Sequence, residues 1–247
     1  MNDPDGYFGD RVAETYDDST GDEFQPEVLA ATADLLADLA GGPGARALEF
    51  AIGTGRVAVP LAERGVTVHG IDMSRAMVAR LRAKNAAIGV TIGDIATVRA
   101  GAEGEFDLVY LVFNTVMNLT TQDAQVECFR NAAAHLRPGG RFLIEVMQPE
   151  LRKLPAGQTL VPFTVTPARW GFDRYDVATQ QMSSNYVTLH DDGRGEFQSI
   201  PFRYAWPAEM DLMARLAGLR PEHRWDSWSR TPFTSESTKI IATWQKA

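Results

Sequence analysis

The sequence is poor in the residues that build disulfides, metal centres and membrane anchors. Cys128 is the only cysteine in 247 residues, so an intrachain disulfide is excluded. It falls in a helical stretch without ligand-type neighbours and reads as a small buried side chain. The four histidines, His69, His135, His190 and His223, show no metal-ligand spacing, and no acidic cluster joins them, so no metal is expected. His69 sits in a strand pattern and His135 at a helix end, both structural positions; His190 ends an apolar stretch before a turn and reads as exposed. No nucleophile elbow and no Ser-His-Asp order occurs. No apolar run approaches the ~20 residues that span a bilayer. The N-terminus, MNDPDGYFGD, is acidic and lacks an apolar core, so no signal peptide is expected. An excess of basic charge is also missing. The net charge is −8 and the basic residues are scattered, which argues against nucleic acid and anionic membranes as partners. A cytoplasmic protein, monomer or homodimer, is expected.

What is present suffices for one well-buried domain, with 45% hydrophobic and 23% charged residues. Residues 22–40 carry apolar side chains at helical spacing and end at GGPG. Strand–helix alternation follows: strand 46–50, helix 56–64, strand 66–71, helix 75–84 with Ser74 as its N-cap, strand 90–92, strand 107–113, helix 122–136, a Pro-Gly-Gly turn and strand 141–147. Strands that are continuous apolar runs suggest a parallel sheet covered on both faces. Beyond Gln148 the pattern becomes alternating and aromatic, with a turn at DDGRG, and reads as antiparallel strands. Pro207 then opens a helix closed by Gly218, and two strands, 220–228 and 238–245, end the chain. Three segments are therefore expected: a core over 1–147, an antiparallel insert over 148–206, and 207–247 completing the core sheet.

From Ala47 to Asp72 the order is strand, glycine-rich turn, helix, strand, acid. Gly53-Thr54-Gly55 lets the backbone approach a ligand, and the next helix aims N–H groups at it. Pro60 is tolerated if the helix starts near Val57. Asp72 ends the second strand, placed for ribose hydroxyls. Two cofactor classes use such a unit. Read strictly, Gly53 to Ala58 matches the dinucleotide fingerprint, with Asp72 near the expected ~20 residues. Glu49, near the end of the first strand, would repel a pyrophosphate but suits a cofactor with sulfonium and ammonium groups. Gly93-Asp94-Ile95 offers an acid for an adenine amino group and an apolar side chain for the ring.

Taken in order, LEFAIGTG, HGIDMS, GDI, FDLVYLVFNT and HLRPGGRFLIE, over residues 46–147, resemble the class I S-adenosylmethionine-dependent methyltransferases. The preceding YFGDRVAETYDD resembles members that act on small molecules. Ala51 stands where the family usually has glycine, and its Cβ narrows the turn. The resemblance implies an α/β, Rossmann-like sheet with helices on both faces and an antiparallel β insert after the fifth strand. It implies S-adenosyl-L-methionine as cofactor and S-adenosyl-L-homocysteine as product. By position it puts Glu49, Ala51, Gly53, Thr54 and Gly55 around the methionine part, and Asp72 on the ribose with Met73 beside the adenine. Asp94 and Ile95 hold the adenine edge and face. Val112 and Phe113 close the site near the sulfonium, with Tyr16 near the methyl donor. Arg56 and Arg11 are candidates for the cofactor carboxylate.

Tyr7, Phe8 and Tyr16 read two ways, as a lid over the cofactor or as packing for the first helix. Asn114 and Asn118 follow the fourth strand, where the sheet edge opens into a cleft; their alternative is capping. Trp170, Tyr186, Tyr204 and Trp206 are candidates for the acceptor pocket, with half of such a layer expected to face away. Glu145 is a candidate proton acceptor. The expected activity is methyl transfer to a small molecule, a secondary metabolite, at an amine. Open alternatives are an O- or C-methyltransferase, a non-catalytic cofactor-binding protein and an NAD(P)-dependent oxidoreductase.

Overall fold

The computed structural model describes residues 6–18 and 21–247. Residues 1–5, which begin the acidic segment read above, lie outside the described residues. Strands β1 (Arg46–Phe50), β2 (Thr67–Asp72), β3 (Gly89–Ile92), β4 (Phe106–Leu111) and β5 (Leu136–Met147) pair in parallel. Helices α1 (Asp10–Thr15) and α2 (Pro26–Ala40) precede them, and α3 (Ala58–Ala62), α4 (Arg75–Lys84) and α5 (Gln122–His135) run between them. After β5 comes a meander of β6 (Leu160–Val165), β7 (Arg169–Tyr175), β8 (Gln181–Leu189) and β9 (Gly195–Arg203), antiparallel throughout. Helix α6 (Pro207–Leu216), β10 (Leu219–Trp225) and β11 (Lys239–Lys246) follow. The main sheet has the order β10-β11-β5-β4-β1-β2-β3, with β11 antiparallel to both neighbours. This is the α/β sheet with an antiparallel insert after its fifth strand.

Pleating explains the continuous apolar strands. Leu48, Phe50, Val109, Leu111, Phe142 and Ile144 pack on one face with α5 and α6. Their neighbours Ala47, Leu108, Tyr110, Val112, Leu143 and Ile241 pack on the other with α2 and α3. Both faces are covered, so no polar alternation survives.

Local signals set most boundaries. Ser74 Oγ accepts from Met77 N at 3.1 Å to cap α4, and Thr121 caps α5. Gly41, at φ 108°, ends α2. Three expectations shift. The helix expected over 56–64 is only Ala58–Ala62, because residues 51–57 are taken up by turns, and Pro60 sits in its first turn. The strand expected to reach Phe113 stops at Leu111, because Phe113 and Asn114 take left-handed backbone at φ 60° and 63°. The turn expected at 138–140 becomes a bulge inside β5, between the pairs Phe106–Leu136 and Leu108–Arg141.

Beside the apolar packing of Tyr175, Met182 and Phe202 on the core, a buried polar network ties the insert to α5 and α6. Arg203, 5% exposed at the end of β9, donates to Gln125 Oε1 of α5 and Glu209 Oε1 of α6, each at 2.7 Å. Gln180 Nε2 donates to Glu209 Oε2 at 2.7 Å. Arg203→Ala leaves Glu209 without its cation, so a loss of about 3–5 kcal/mol is expected in urea unfolding. A loss below about 1 kcal/mol would show that the network does not hold the insert.

Candidate functional site

The chain runs outward from β1 to β2 to β3 on one side and from β4 to β5 on the other, so a crevice opens where β1 and β4 end. The loop after β1 is built for close approach. Ala51, Gly53 and Gly55 all have positive φ, at 56°, 57° and 76°. A Cβ on Gly55 would sit 2.3 Å from Leu81 Cδ1, so that glycine serves packing; at Gly53 the nearest atom would be 3.4 Å away, which leaves the backbone open. The left-handed angle at Ala51 costs ~1–2 kcal/mol, the price of a Cβ where glycine would be relaxed.

Asp72 ties this loop to the turn after β2. Its Oδ2 accepts from Gly53 N and its Oδ1 from Ser74 N, both at 2.7 Å. The N-terminal segment closes over the same turns. Thr54 Oγ1 donates to Asp17 Oδ1 at 2.7 Å, Lys84 pairs with Asp17, and Ser74 Oγ donates to the Phe8 carbonyl at 2.6 Å. The Arg56 guanidinium lies 5.0 and 5.1 Å from the Phe24 and Phe113 ring centres and donates to the Glu23 carbonyl at 2.5 Å. Tyr16 packs edge-on against Phe24, and burial pushes its hydroxyl up to about 12.

Three carboxylates stand at the ends of three adjacent strands: Glu49 on β1, Asp72 on β2 and Asp94 just after β3. Glu49 is 3% exposed and accepts from the Tyr110 hydroxyl at 2.9 Å. Burial pushes its carboxyl up to about 8, and nearby Asp72 adds to this, against the Tyr110 hydrogen bond and Arg56. Asp94 Oδ1 accepts from Ala96 N at 2.8 Å, Ile95 is buried beside it, and Met73 is 56% exposed next to Asp72. A row of acids disfavours a pyrophosphate and fits a cofactor carrying ammonium, sulfonium, ribose and an amino-purine. The residues present therefore fit S-adenosylmethionine.

Beyond Phe113 lies a cavity of about 780 Å³. One wall is the N-terminal segment with Tyr7, Phe8 and Tyr16, the floor is Phe113, Asn114 and Asn118, and the far wall is one face of β8 and β9 with Tyr186. Trp170 and Tyr204 are not brought there. Trp170 pairs with Val187, one residue off Tyr186, so pleating turns it to the outer face, 46% exposed. Tyr204 is 1% exposed and packs edge-on against Tyr175 and Trp206 in the core. Glu145 also misses the cavity. It holds the strained floor instead, accepting from Phe113 N at 2.5 Å and pairing with Lys239 at 3.3 Å. Asn114 lines the cavity and ties it to the end of β5, its Oδ1 accepting from Met147 N at 2.6 Å; its side chain makes no capping bond to the turn that follows. Arg11 lines the cavity but is paired with Glu196 of β9. Val112 is buried in the core face below Phe113. Asp17, Phe24, Arg169 and Ser184 were not singled out from the sequence; only the acidic and aromatic character of YDD and DEF hinted at the first two.

A pH dependence follows from Glu49. Its folded value of about 8 lies above its ordinary 4.5, so its contribution to stability is complete below pH ~4.5 and is lost as pH rises through 8. The melting temperature of the free protein should fall between pH 5 and 8 relative to Glu49→Gln, measured by calorimetry. Parallel curves would mean that Glu49 is already ionised in the fold.

Residues 47–140 match a family model described as a methyltransferase domain. The cypemycin N-terminal methyltransferase of a Streptomyces species is 26% identical over 211 residues, 80% of this chain and 82% of that protein. The solved CcbJ methyltransferase from Streptomyces caelestis is 33% identical with a TM-score of 0.84, covering 97% of this chain and 98% of that one. An amino pentose methyltransferase of calicheamicin biosynthesis from Micromonospora echinaspora, solved with bound S-adenosylmethionine, shares the fold at 23% identity and TM-score 0.65, over 88% of this chain and 90% of that one. Near-complete overlap with CcbJ, together with the glycine turn and acid row at the strand ends, shows that this chain belongs to the class I S-adenosylmethionine-dependent methyltransferases.

Proposed function

We propose that this enzyme methylates an amine nitrogen on a small molecule, and that the insert chooses the acceptor while the main sheet holds the cofactor. The observation that carries the reading is the meeting of two unlike surfaces at Phe113 and Asn114: the acid row on one side, the 780 Å³ cavity with aromatic and polar walls on the other. Such a cavity suits a drug-sized acceptor. The cypemycin relative is an N-terminal methyltransferase, which supports nitrogen.

Bound at the acid row, S-adenosylmethionine supplies a methyl group activated by its sulfonium. This chain's residues do the rest. Gly53 lets the backbone close on it, Asp72 takes the ribose hydroxyls, Asp94 the adenine amino group, and Glu49 balances the ammonium. Tyr16, Phe24 and Phe113 form an aromatic layer that excludes water between cofactor and acceptor, so alignment supplies most of the rate. A neutral amine needs no base, whereas a hydroxyl does. Among the described residues, no histidine lines the cavity; its two lining acids are Glu196, already paired with Arg11, and the exposed Asp18. The lack of a histidine and the pairing of Glu196 favour an amine over a hydroxyl.

The test is release of S-adenosylhomocysteine on a panel of small primary and secondary amines and matched phenols. Turnover on amines is expected. Tyr186→Ala should then lower acceptor kcat/KM about tenfold, a change of ~1.4 kcal/mol, with cofactor Kd unchanged. Turnover confined to phenols would replace nitrogen by oxygen, and a melting temperature lowered with unchanged kinetics would make Tyr186 a packing residue only.

A further inference from the structure

The register of the insert sorts its inner face into rows. Tyr175, Met182 and Phe202 form the first row, packed against the core. Asp173, Ser184 and Ile200 form the second, Gly171, Tyr186 and Gln198 the third, and Arg169, Thr188 and Glu196 the rim. Gly171 is small because the Phe163 ring crosses it, 2.4 Å from where a Cβ would stand, and that ring packs edge-on against Tyr186. The second row therefore lies beneath an aromatic collar.

Asp173 in that row is 6% exposed, with no lysine or arginine in an ion pair with it among the described residues. Arg169 is on the same face, four residues along the strand or about 13 Å at the backbone; its guanidinium lies over the Tyr186 ring, 4.7 Å from the ring centre, one row from Asp173, and makes no ion pair with it. Burial raises the Asp173 carboxyl above its ordinary value, and the like charge of Glu150 adds to this, against the Ser184 and Tyr175 hydrogen bonds. A cationic ligand beside it favours the ionised form. Its Oδ1 accepts from Ser184 Oγ at 2.6 Å, and the Tyr175 hydroxyl stands 3.5 Å from Oδ2. Ser184 lines the cavity. With its one proton given to Asp173, the Ser184 hydroxyl offers the cavity only lone pairs.

We propose that Ser184 is the acceptor-reading group of this enzyme, taking an N–H of the amine, with Asp173 behind it as the positioning residue that fixes the hydroxyl and supplies the countercharge. This rests on the amine-methyltransferase reading and adds the residues that select for it. Methyl transfer to a neutral amine forms the N–C bond as the C–S bond breaks toward sulfur, and leaves positive charge on nitrogen. A carboxylate one hydroxyl away favours that charge. An ether or an ester at this position meets lone pair against lone pair and is rejected.

The test uses protein saturated with S-adenosylhomocysteine and two probes of one shape: N-methyl-2-phenylethylamine, and 2-phenylethyl methyl ether, which has no donor hydrogen. Calorimetry should find the amine at least about tenfold tighter, the scale of a hydrogen bond to a charge-backed group. Ser184→Ala and Asp173→Asn should each reduce that ratio below about threefold, and Ser184→Thr, which keeps the hydroxyl, should retain it. A structural role alone would move melting temperature and leave the ratio untouched. Equal affinities in the wild type, or an unchanged ratio in Ser184→Ala, overturn the proposal, and Ser184→Ala decides it should Asp173→Asn fold poorly. The S-adenosylhomocysteine Kd, measured on every protein, separates this failure from failure of the methyltransferase reading, which loss of that binding in the wild type would signal.

Discussion

The carboxylate of Asp72 holds together the two turns on which the cofactor half depends. One oxygen fixes the loop after β1 through Gly53 N and the other fixes the start of α4 through Ser74 N. Because β1 and β2 are parallel neighbours, one short side chain reaches both. Loss of that bridge frees a loop that contains three residues at positive φ, one of them an alanine under strain. Glu49, one strand over, and Asp94, on the far side, then make the crevice acidic along its length, and the low polarity around Glu49 leaves it ready to ionise when a cation arrives.

The cavity is assembled from distant parts of the chain. The N-terminal segment reaches the core through Asp17 and Phe8 and the insert through the Arg11–Glu196 pair. The insert reaches the core through Arg203. The floor is fixed by Glu145, whose backbone and side chain hold Phe113 and Asn114 in left-handed conformation. Strain of this kind persists where surroundings over-determine it, and here it lies between the two halves of the site.

The sheet and the glycine-rich turn after β1 were legible because their signals are local. The Ser74 cap, the Gly53 turn and Asp72 at a strand end all lie within about twenty-five residues, and apolar runs mark strands covered on both faces. The acceptor side was less legible for a specific reason. Both faces of the insert carry large side chains, so composition finds the rings but not their parity; Trp170 and Tyr186 differ by one register step and face opposite ways. Tyr204, one residue beyond β9, turns into the core. Glu145 looked like a free acid because its partners, Phe113 N and Lys239, are 32 and 94 residues away in sequence. Asp17, Ser184 and Asp173 act through contacts that only folding creates.

We attribute the choice of an S-adenosyl cofactor over a dinucleotide to the acid row. Calorimetry of the wild type and Asp72→Ala with S-adenosylhomocysteine and with NADPH tests it most directly. Binding of S-adenosylhomocysteine alone is expected, weakened by ~1–3 kcal/mol in the folded variant through loss of hydrogen bonds to a charged group. Binding of NADPH by the wild type, or unchanged S-adenosylhomocysteine affinity in folded Asp72→Ala, would contradict it.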